Sequence, residues 1–190
     1  MIGNDVVDLR LAAVQSDWQR PGFREKVFTA GENCLIDQSE QPFQLVWRLW
    51  SMKESAYKAY HRMHPKRFFN PKKMECTITG QDTGQVQVAE QIFKTHTKIT
   101  QESVCTSAVQ DESKGFSAEI FTIPTSANES LFSHQKLKAY CVKNWSISRS
   151  DLQVEKTNQG VPRLRDDSNN QTRAISISHH GRYGAFIIQE

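Results

Sequence analysis

Three short segments carry side chains suited to work on a phosphate. The first is Gly3-Asn4-Asp5-Val6-Val7-Asp8. Its two carboxylates lie three residues apart, so on a strand they point to opposite faces and only one can serve a given site. Asp5, set beside apolar residues, is the less ordinary of the two, and the plainer reading of the segment is an Asp capping a turn after a short strand. The second segment is Trp50-Ser51-Met52-Lys53-Glu54-Ser55-Ala56-Tyr57-Lys58. Glu54 and Lys58 share a helix face at i, i+4, and by spacing alone they form a surface ion pair worth about 0.3–0.5 kcal/mol. The third is Ser176-Ile177-Ser178-His179-His180-Gly181. It puts a histidine at a strand end before a glycine turn, where it either reaches a ligand or serves the structure. A strand carboxylate, a helix carboxylate with a lysine, and a strand-end histidine together suit a magnesium-phosphate site. Mg²⁺ needs only one or two carboxylates when it keeps waters and binds substrate phosphate. The lysine and histidine would balance the remaining negative charge.

These segments need elements to hold them. Residues 1–9 read as a short strand running into a loop. Thr29 and Glu32 have the spacing of a capping box, which starts a helix over about 30–38. Pro42 suits the first turn of a longer helix over 42–62. Phe43, Val46, Trp47, Trp50, Tyr57 and Tyr60 give that helix an apolar stripe. Residues 74–79, 85–95, 97–108 and 116–123 read as antiparallel strands, closed by Pro124. A second amphipathic helix spans 129–145, with Leu131, Leu137, Tyr140, Cys141 and Trp145 on its buried side. A strand near 151–156, a polar loop at 163–173, and strands at 174–178 and 183–189 complete the chain.

Composition narrows the class. The chain has 190 residues, with 24 Lys+Arg against 21 Asp+Glu, and hence a net charge of +3. That balance is too mild to indicate nucleic-acid binding. Mean hydropathy is −0.61, and no apolar run reaches the roughly 18 residues that a membrane span needs. The N-terminus lacks the basic head and apolar run of a signal peptide, so a cytoplasmic protein is expected. Cys34, Cys76, Cys105 and Cys141 include no Cys-x-x-Cys pair and read as reduced thiols, mostly core fillers.

Taken together, the three segments resemble the motifs of the 4′-phosphopantetheinyl transferase superfamily. These are a Gly-x-Asp near a strand start, a Trp-x-x-Lys-Glu-Ser/Ala-x-x-Lys helix and a Ser-x-Ser-His strand end. Phe28-Thr29-x-x-Glu32 and Gly160-Val161-Pro162 add two further matches. The resemblance covers about 1–73 and 129–190. The halves stand in the reverse order to the surfactin-synthetase-activating type. The holo-acyl-carrier-protein synthases share the present order but build their site between subunits of a trimer. The resemblance implies an α+β fold of two similar lobes, each a long helix on a small antiparallel sheet, with the site in the cleft between them. The lobes are expected at 1–124, including a strand-rich extension over about 74–123 that either widens a sheet or covers the cleft, and at 125–190. A chain holding both lobes would complete its own site as a monomer.

The same resemblance implies the chemistry. Asp5 and Glu54 would hold Mg²⁺ at the pyrophosphate of coenzyme A. Glu54 would help deprotonate a serine of an apo carrier protein, Lys58 would stabilise charge, and 3′,5′-ADP would leave. His179 would bind a phosphate of the nucleotide end, with Lys53 a further candidate. Gly160 and Pro162 would shape the loop beside the coenzyme. Carrier proteins are acidic around their serine, and Arg62, Lys66, Arg67, Lys72 and Lys73 with Phe68 and Phe69 form a basic, aromatic segment that could dock one. Three positions depart from the pattern. Val7 replaces a second acid, His61–Pro65 replaces a glycine-rich turn, and Gln135 replaces an arginine, leaving Lys136 or Lys138 to take its part. A non-catalytic coenzyme A or carrier-binding module of the same fold is the alternative, and a single-stranded nucleic-acid surface at 61–73 is a third reading.

Overall fold

The computed structural model describes residues 1–64 and 70–190. In chain order the elements are β1 (Ile2–Asp8), α1 (Leu9–Gln15), α2 (Phe23–Val27), α3 (Ala30–Gln38), α4 (Pro42–His61), β2 (Met74–Ile78), β3 (Thr83–Val88), β4 (Gln91–Ile99), β5 (Ser103–Val109), β6 (Phe116–Thr122), α5 (Glu129–Trp145), β7 (Leu152–Lys156), β8 (Pro162–Asp166), β9 (Gln171–His180) and β10 (Tyr183–Gln189). They form an α+β fold with two five-stranded antiparallel sheets, ordered β1-β5-β4-β3-β2 and β6-β10-β9-β8-β7. Helix α4 packs on the first sheet and α5 on the second. No helix among the described residues is long and apolar enough to cross a membrane.

Local signals explain the helices. Thr29 and Glu32 form the full capping box of α3, and Pro42 starts α4. Asn128 caps α5 by accepting from the Leu131 N–H at 2.9 Å. The buried face of α4 includes Val46, Trp47, Leu49, Met52, Ala56 and Ala59. On α5, Leu137 and Cys141 are buried as the periodicity requires, but Leu131 is exposed at the first turn. Cys34, expected among the core fillers, is exposed on α3.

Several sequence expectations are corrected. Residues 9–15 form α1, because Asp8 caps it by accepting from the N–H groups of Arg10 and Leu11. The stretch 85–95 is two strands, divided by a turn in which Ala89 takes φ +53°. The polar loop expected at 163–173 is instead β8, a turn and the start of β9. Leu164 and Asp166 point inward there, while Arg163 and Arg165 pair with Glu155. The strands of the middle segment divide between the two sheets. β6 pairs with β10 along its whole length, so the second sheet takes its edge strand from the middle segment. The other four middle strands extend the first sheet.

β1 is the element on which the halves meet. It bonds to β5 on one edge, and β9 side chains cover the other. The Asn4 N–H donates to Ser176 Oγ at 3.1 Å and the Asp8 N–H to His180 Nδ1 at 2.9 Å. An exposed strand edge is thereby closed with side chains in place of a further backbone ladder. Asn4 Nδ2 also donates to Ser178 Oγ at 2.9 Å. Arg182 then clamps Asp8 through its N–H and guanidinium, with Nε 3.0 Å from Oδ2. Burial alone would raise the Asp8 carboxyl; the Arg182 and Leu11 hydrogen bonds outweigh it and hold the group at about 2.

Candidate active site

The alternation of β1 separates its side chains into two sets. Asn4 and Asp8 turn to the second sheet, as just described. Gly3, Asp5 and Val7 turn to α4 and the core of the first sheet. Gly3 lets the two elements touch. A Cβ at this position would collide with the Ser55 carbonyl oxygen and lie 2.7 Å from the Ala59 backbone nitrogen. The glycine of Gly-x-Asp therefore acts sterically, lowering β1 onto α4 so that Asp5 comes within reach of the helix. Ser51 Oγ donates to the Asp5 carbonyl at 3.4 Å from the same helix.

Lys58 answers from α4. Its Nζ donates to Asp5 Oδ1 at 2.9 Å and to the Asn4 carbonyl at 2.9 Å. The simple surface pair of Glu54 with Lys58 is thus not what forms; the lysine is given to Asp5. Glu54 lies one turn earlier on the same face and feels both charges. Burial, and then the Asp5 carboxylate, push its pKa up to about 7, with Lys58 offsetting part of the rise. Two carboxylates at close quarters, one inclined to hold a proton, make a place where a cation would be stabilised. Val7 is 4 % exposed within the core and offers no third oxygen. Among the described residues, no group of three or more His, Cys, Asp or Glu gathers to hold a metal. Asp5 and Glu54 still fit Mg²⁺, which takes few protein ligands when a polyphosphate and waters supply the rest.

The neighbouring clefts bring in the remaining residues. A cavity of about 320 Å³ is lined by Asp5, Trp47, Trp50, Phe23 and His179, among others. A second, of about 280 Å³, is lined by Lys58, Arg62, Lys156, Gly160, Pro162 and Ile177, among others. Asp5, in the first, and Lys58, in the second, are the two partners of the ion pair described above. Gly160 adopts φ +80°, a conformation that L-residues disfavour, which accounts for a glycine in that loop. The sequence motifs from both halves therefore converge, and Lys156 joins them without belonging to any motif.

Two predicted residues take parts other than those expected. Lys53 is wholly buried and pairs with Glu32 at 2.7 Å. It also donates to the carbonyls of Val27, Pro71 and Met74. Three ammonium protons already face four oxygens, so none remains for a nucleotide. The reason is angular: adjacent helix residues point about 100° apart, so Lys53 turns inward while Glu54 turns to β1. Glu32 in turn accepts from the backbone N–H groups of Thr29 and Cys76. The Phe28-Thr29-x-x-Glu32 motif and Lys53 thus make one interior strut. Arg62, expected on a docking surface, instead ties the lobes. Its Nε donates to the Ile2 carbonyl at 3.0 Å, and both terminal nitrogens donate to the Pro162 carbonyl at 3.2 Å. Burial pushes its pKa down to about 10. Lys66, Arg67, Phe68 and Phe69 of the expected docking segment lie outside the described residues.

Comparison with known proteins agrees with the motifs. The profile of the 4′-phosphopantetheinyl transferase superfamily matches residues 1–115. The chain belongs to that superfamily. The comparison with curated proteins finds no match. Among solved structures, the chain is similar to the holo-[acyl-carrier-protein] synthase of Thermotoga maritima. The identity is 13 %, the coverage is 84 % of this chain and 79 % of that one, and the TM-score is 0.47.

Proposed function

We propose that this protein transfers 4′-phosphopantetheine from coenzyme A to a serine of an apo carrier protein, releasing 3′,5′-ADP. The observation that carries the reading is the grouping of Asp5, Glu54 and Lys58, with Asp5 in the cleft that reaches His179 and Lys58 in the one that reaches Gly160 and Pro162. In this reading Asp5 and Glu54 would hold Mg²⁺, which when bound would neutralise pyrophosphate charge. Glu54, directly or through a water, accepts the proton of the serine hydroxyl. The serine oxygen forms a bond to the β-phosphorus. The bond from that phosphorus to the bridging oxygen breaks, and its electron pair leaves with 3′,5′-ADP. Lys58 stabilises the charge that develops on the phosphoryl oxygens. His179 binds a phosphate of the nucleotide end.

The chain carries both sheets and closes β1 with its own β9, which supports a monomer with a complete site. A cytoplasmic location goes with the same reading, since it places the enzyme with coenzyme A and apo carriers. The test is release of 3′,5′-ADP, followed chromatographically, from coenzyme A and Mg²⁺ with fatty-acid, polyketide and peptide-synthetase carriers. Val7 in the core, where a further acid is usual, favours the alternative of a non-catalytic binding module. That reading expects coenzyme or carrier binding with no 3′,5′-ADP. Release that depends on Asp5 and Glu54 would eliminate it.

A further inference from the structure

Glu54, Lys58 and Arg62 follow one another at intervals of four, so their side chains stand in a row on one face of α4 and its C-cap. The row runs beside β1, the strand at which the first sheet ends. Carbonyls of alternate strand residues point to one edge, and the helix takes two of them. Lys58 Nζ donates to the Asn4 carbonyl, and Arg62 Nε to the Ile2 carbonyl at 3.0 Å. Arg62 then reaches past the strand, and both of its terminal nitrogens donate to the Pro162 carbonyl at 3.2 Å. Pro162 ends the Gly160-Val161-Pro162 motif and begins β8. The turn before it closes on itself. The Gly160 N–H donates to the Thr157 carbonyl at 2.8 Å, and the Thr157 N–H to the Val161 carbonyl at 2.9 Å. The Val161 N–H donates to Thr157 Oγ1 at 3.2 Å. Those bonds shape the turn without tying it to the first sheet, and the Arg62 guanidinium supplies a tie. A guanidinium offers donors on separate nitrogens and can span two carbonyls; an ammonium offers all of its donors from one atom.

We infer that Arg62 is a positioning residue that fixes the Gly160–Pro162 turn against β1 and thereby sets the coenzyme cleft. That cleft, of about 280 Å³, has Lys58 and Arg62 of α4 on one side and Gly160 and Pro162 on the other. The inference rests on the reading of the cleft as a coenzyme site. Arg62 lies in the His61–Pro65 segment, which stands where the family pattern has a glycine-rich turn. The departure thus supplies a tether between the halves. A charge-assisted hydrogen bond corresponds to about tenfold in an equilibrium constant, and a displaced turn would pass that loss on to the coenzyme.

The test combines two measurements on the full chain, with Arg62→Ala and Arg62→Lys. Hydrogen exchange read by mass spectrometry reports the turn without any ligand. In Arg62→Ala, peptides covering 157–162 should exchange several-fold faster, while those of β3 and β4 keep their rates. Calorimetry of coenzyme A with Mg²⁺ reports the consequence. Arg62→Ala should bind about tenfold more weakly at unchanged stoichiometry, whereas partial unfolding would lower the stoichiometry and leave the dissociation constant alone. Arg62→Lys, which keeps the charge but not the fork, should recover only a minor part of either effect. Unchanged exchange at 157–162 in Arg62→Ala would overturn the inference, as would a lower stoichiometry at unchanged affinity. Full recovery by Arg62→Lys would also overturn it, by leaving charge alone as the cause. Faster exchange at 157–162 in Arg62→Ala, with no coenzyme A bound even by the unaltered protein, would keep the positioning role and overturn the coenzyme reading of the cleft.

Discussion

Lys58 Nζ stands 2.9 Å from Asp5 Oδ1, joining the strand and the helix that the sequence separates by 53 positions. The contact is possible only because Gly3, two residues before Asp5, brings β1 against α4. Glycine, carboxylate and lysine form one device: close approach, then charge, then counter-charge.

Gly3→Ala should therefore harm both stability and the site. The added methyl group meets backbone atoms of Ser55 and Ala59, which cannot rotate away as side chains can. A loss of about 1–3 kcal/mol or more is expected from overpacking, read by chemical denaturation. Lys58→Ala should leave the fold but release Asp5.

Glu54 makes a pH-dependent contribution opposite to that of a stabilising carboxylate. Its pKa in the folded protein, about 7, lies above the ordinary value of 4.5. Between those values the native state binds more protons than the unfolded state, so stability falls as pH rises from 4.5 to 7. Glu54→Gln should flatten that decline. At about pH 8, in metal-free protein, it should stabilise by about 1–3 kcal/mol. Melting curves in chelator across about pH 5–8 check this, and superposition of the two proteins at the alkaline end would contradict it.

The Asp8–Arg182 clamp should behave in the opposite sense. Asp8 titrates at about 2 in the folded protein, below its ordinary value of 3.8. Its contribution is present above about pH 4 and is lost as pH falls toward about 2. Arg182→Ala should destabilise at neutral pH by about 1–3 kcal/mol, because it leaves a buried carboxylate short of partners. It should also move the acid transition upward, which acid titration monitored by circular dichroism would show.

Lys53 and Glu32 should act on folding and not on turnover. Removing either alone leaves a buried charge unpaired and should cost about 3–5 kcal/mol. Replacing Lys53 by Met together with Glu32 by Gln should recover part of the loss, since no isolated charge remains. Urea denaturation of the single and double variants measures the coupling.

The contrast between Lys53 and Glu54 shows what a sequence exposes and what it hides. Caps and periodicity are local, so α3, α4 and α5 are legible from Thr29, Pro42 and their apolar spacing. The motifs single out Asp5, Glu54, Lys58 and His179; the fold places Asp5 and His179 in one cleft, Lys58 in a second, and Glu54 within reach of the Asp5 and Lys58 charges. The Lys53–Glu32 strut is not legible in the helix motif alone, because it depends on which way α4 is rotated against the sheet. A signal did exist: an acid at the third position of a capping box, followed by a lysine on a helix otherwise apolar at that angle. The Ala89 turn had none, since alanine seldom takes a positive φ. β8 was hidden by its arginines, whose charges are met by Glu155 across the hairpin. Arg62 read as a surface charge because the carbonyls that bind it come from Ile2 and Pro162, at distant points of the chain.

The central role given to Glu54 is tested most directly by the intact mass of an apo carrier protein after incubation with this protein, coenzyme A and Mg²⁺, with Glu54→Ala run beside it. A gain of one phosphopantetheine is expected on at least one carrier of the panel, and no gain with the folded Glu54→Ala variant. An equal gain with that variant would contradict the role of Glu54, and no gain on any carrier, with coenzyme A bound, would leave a binding module in place of the transferase.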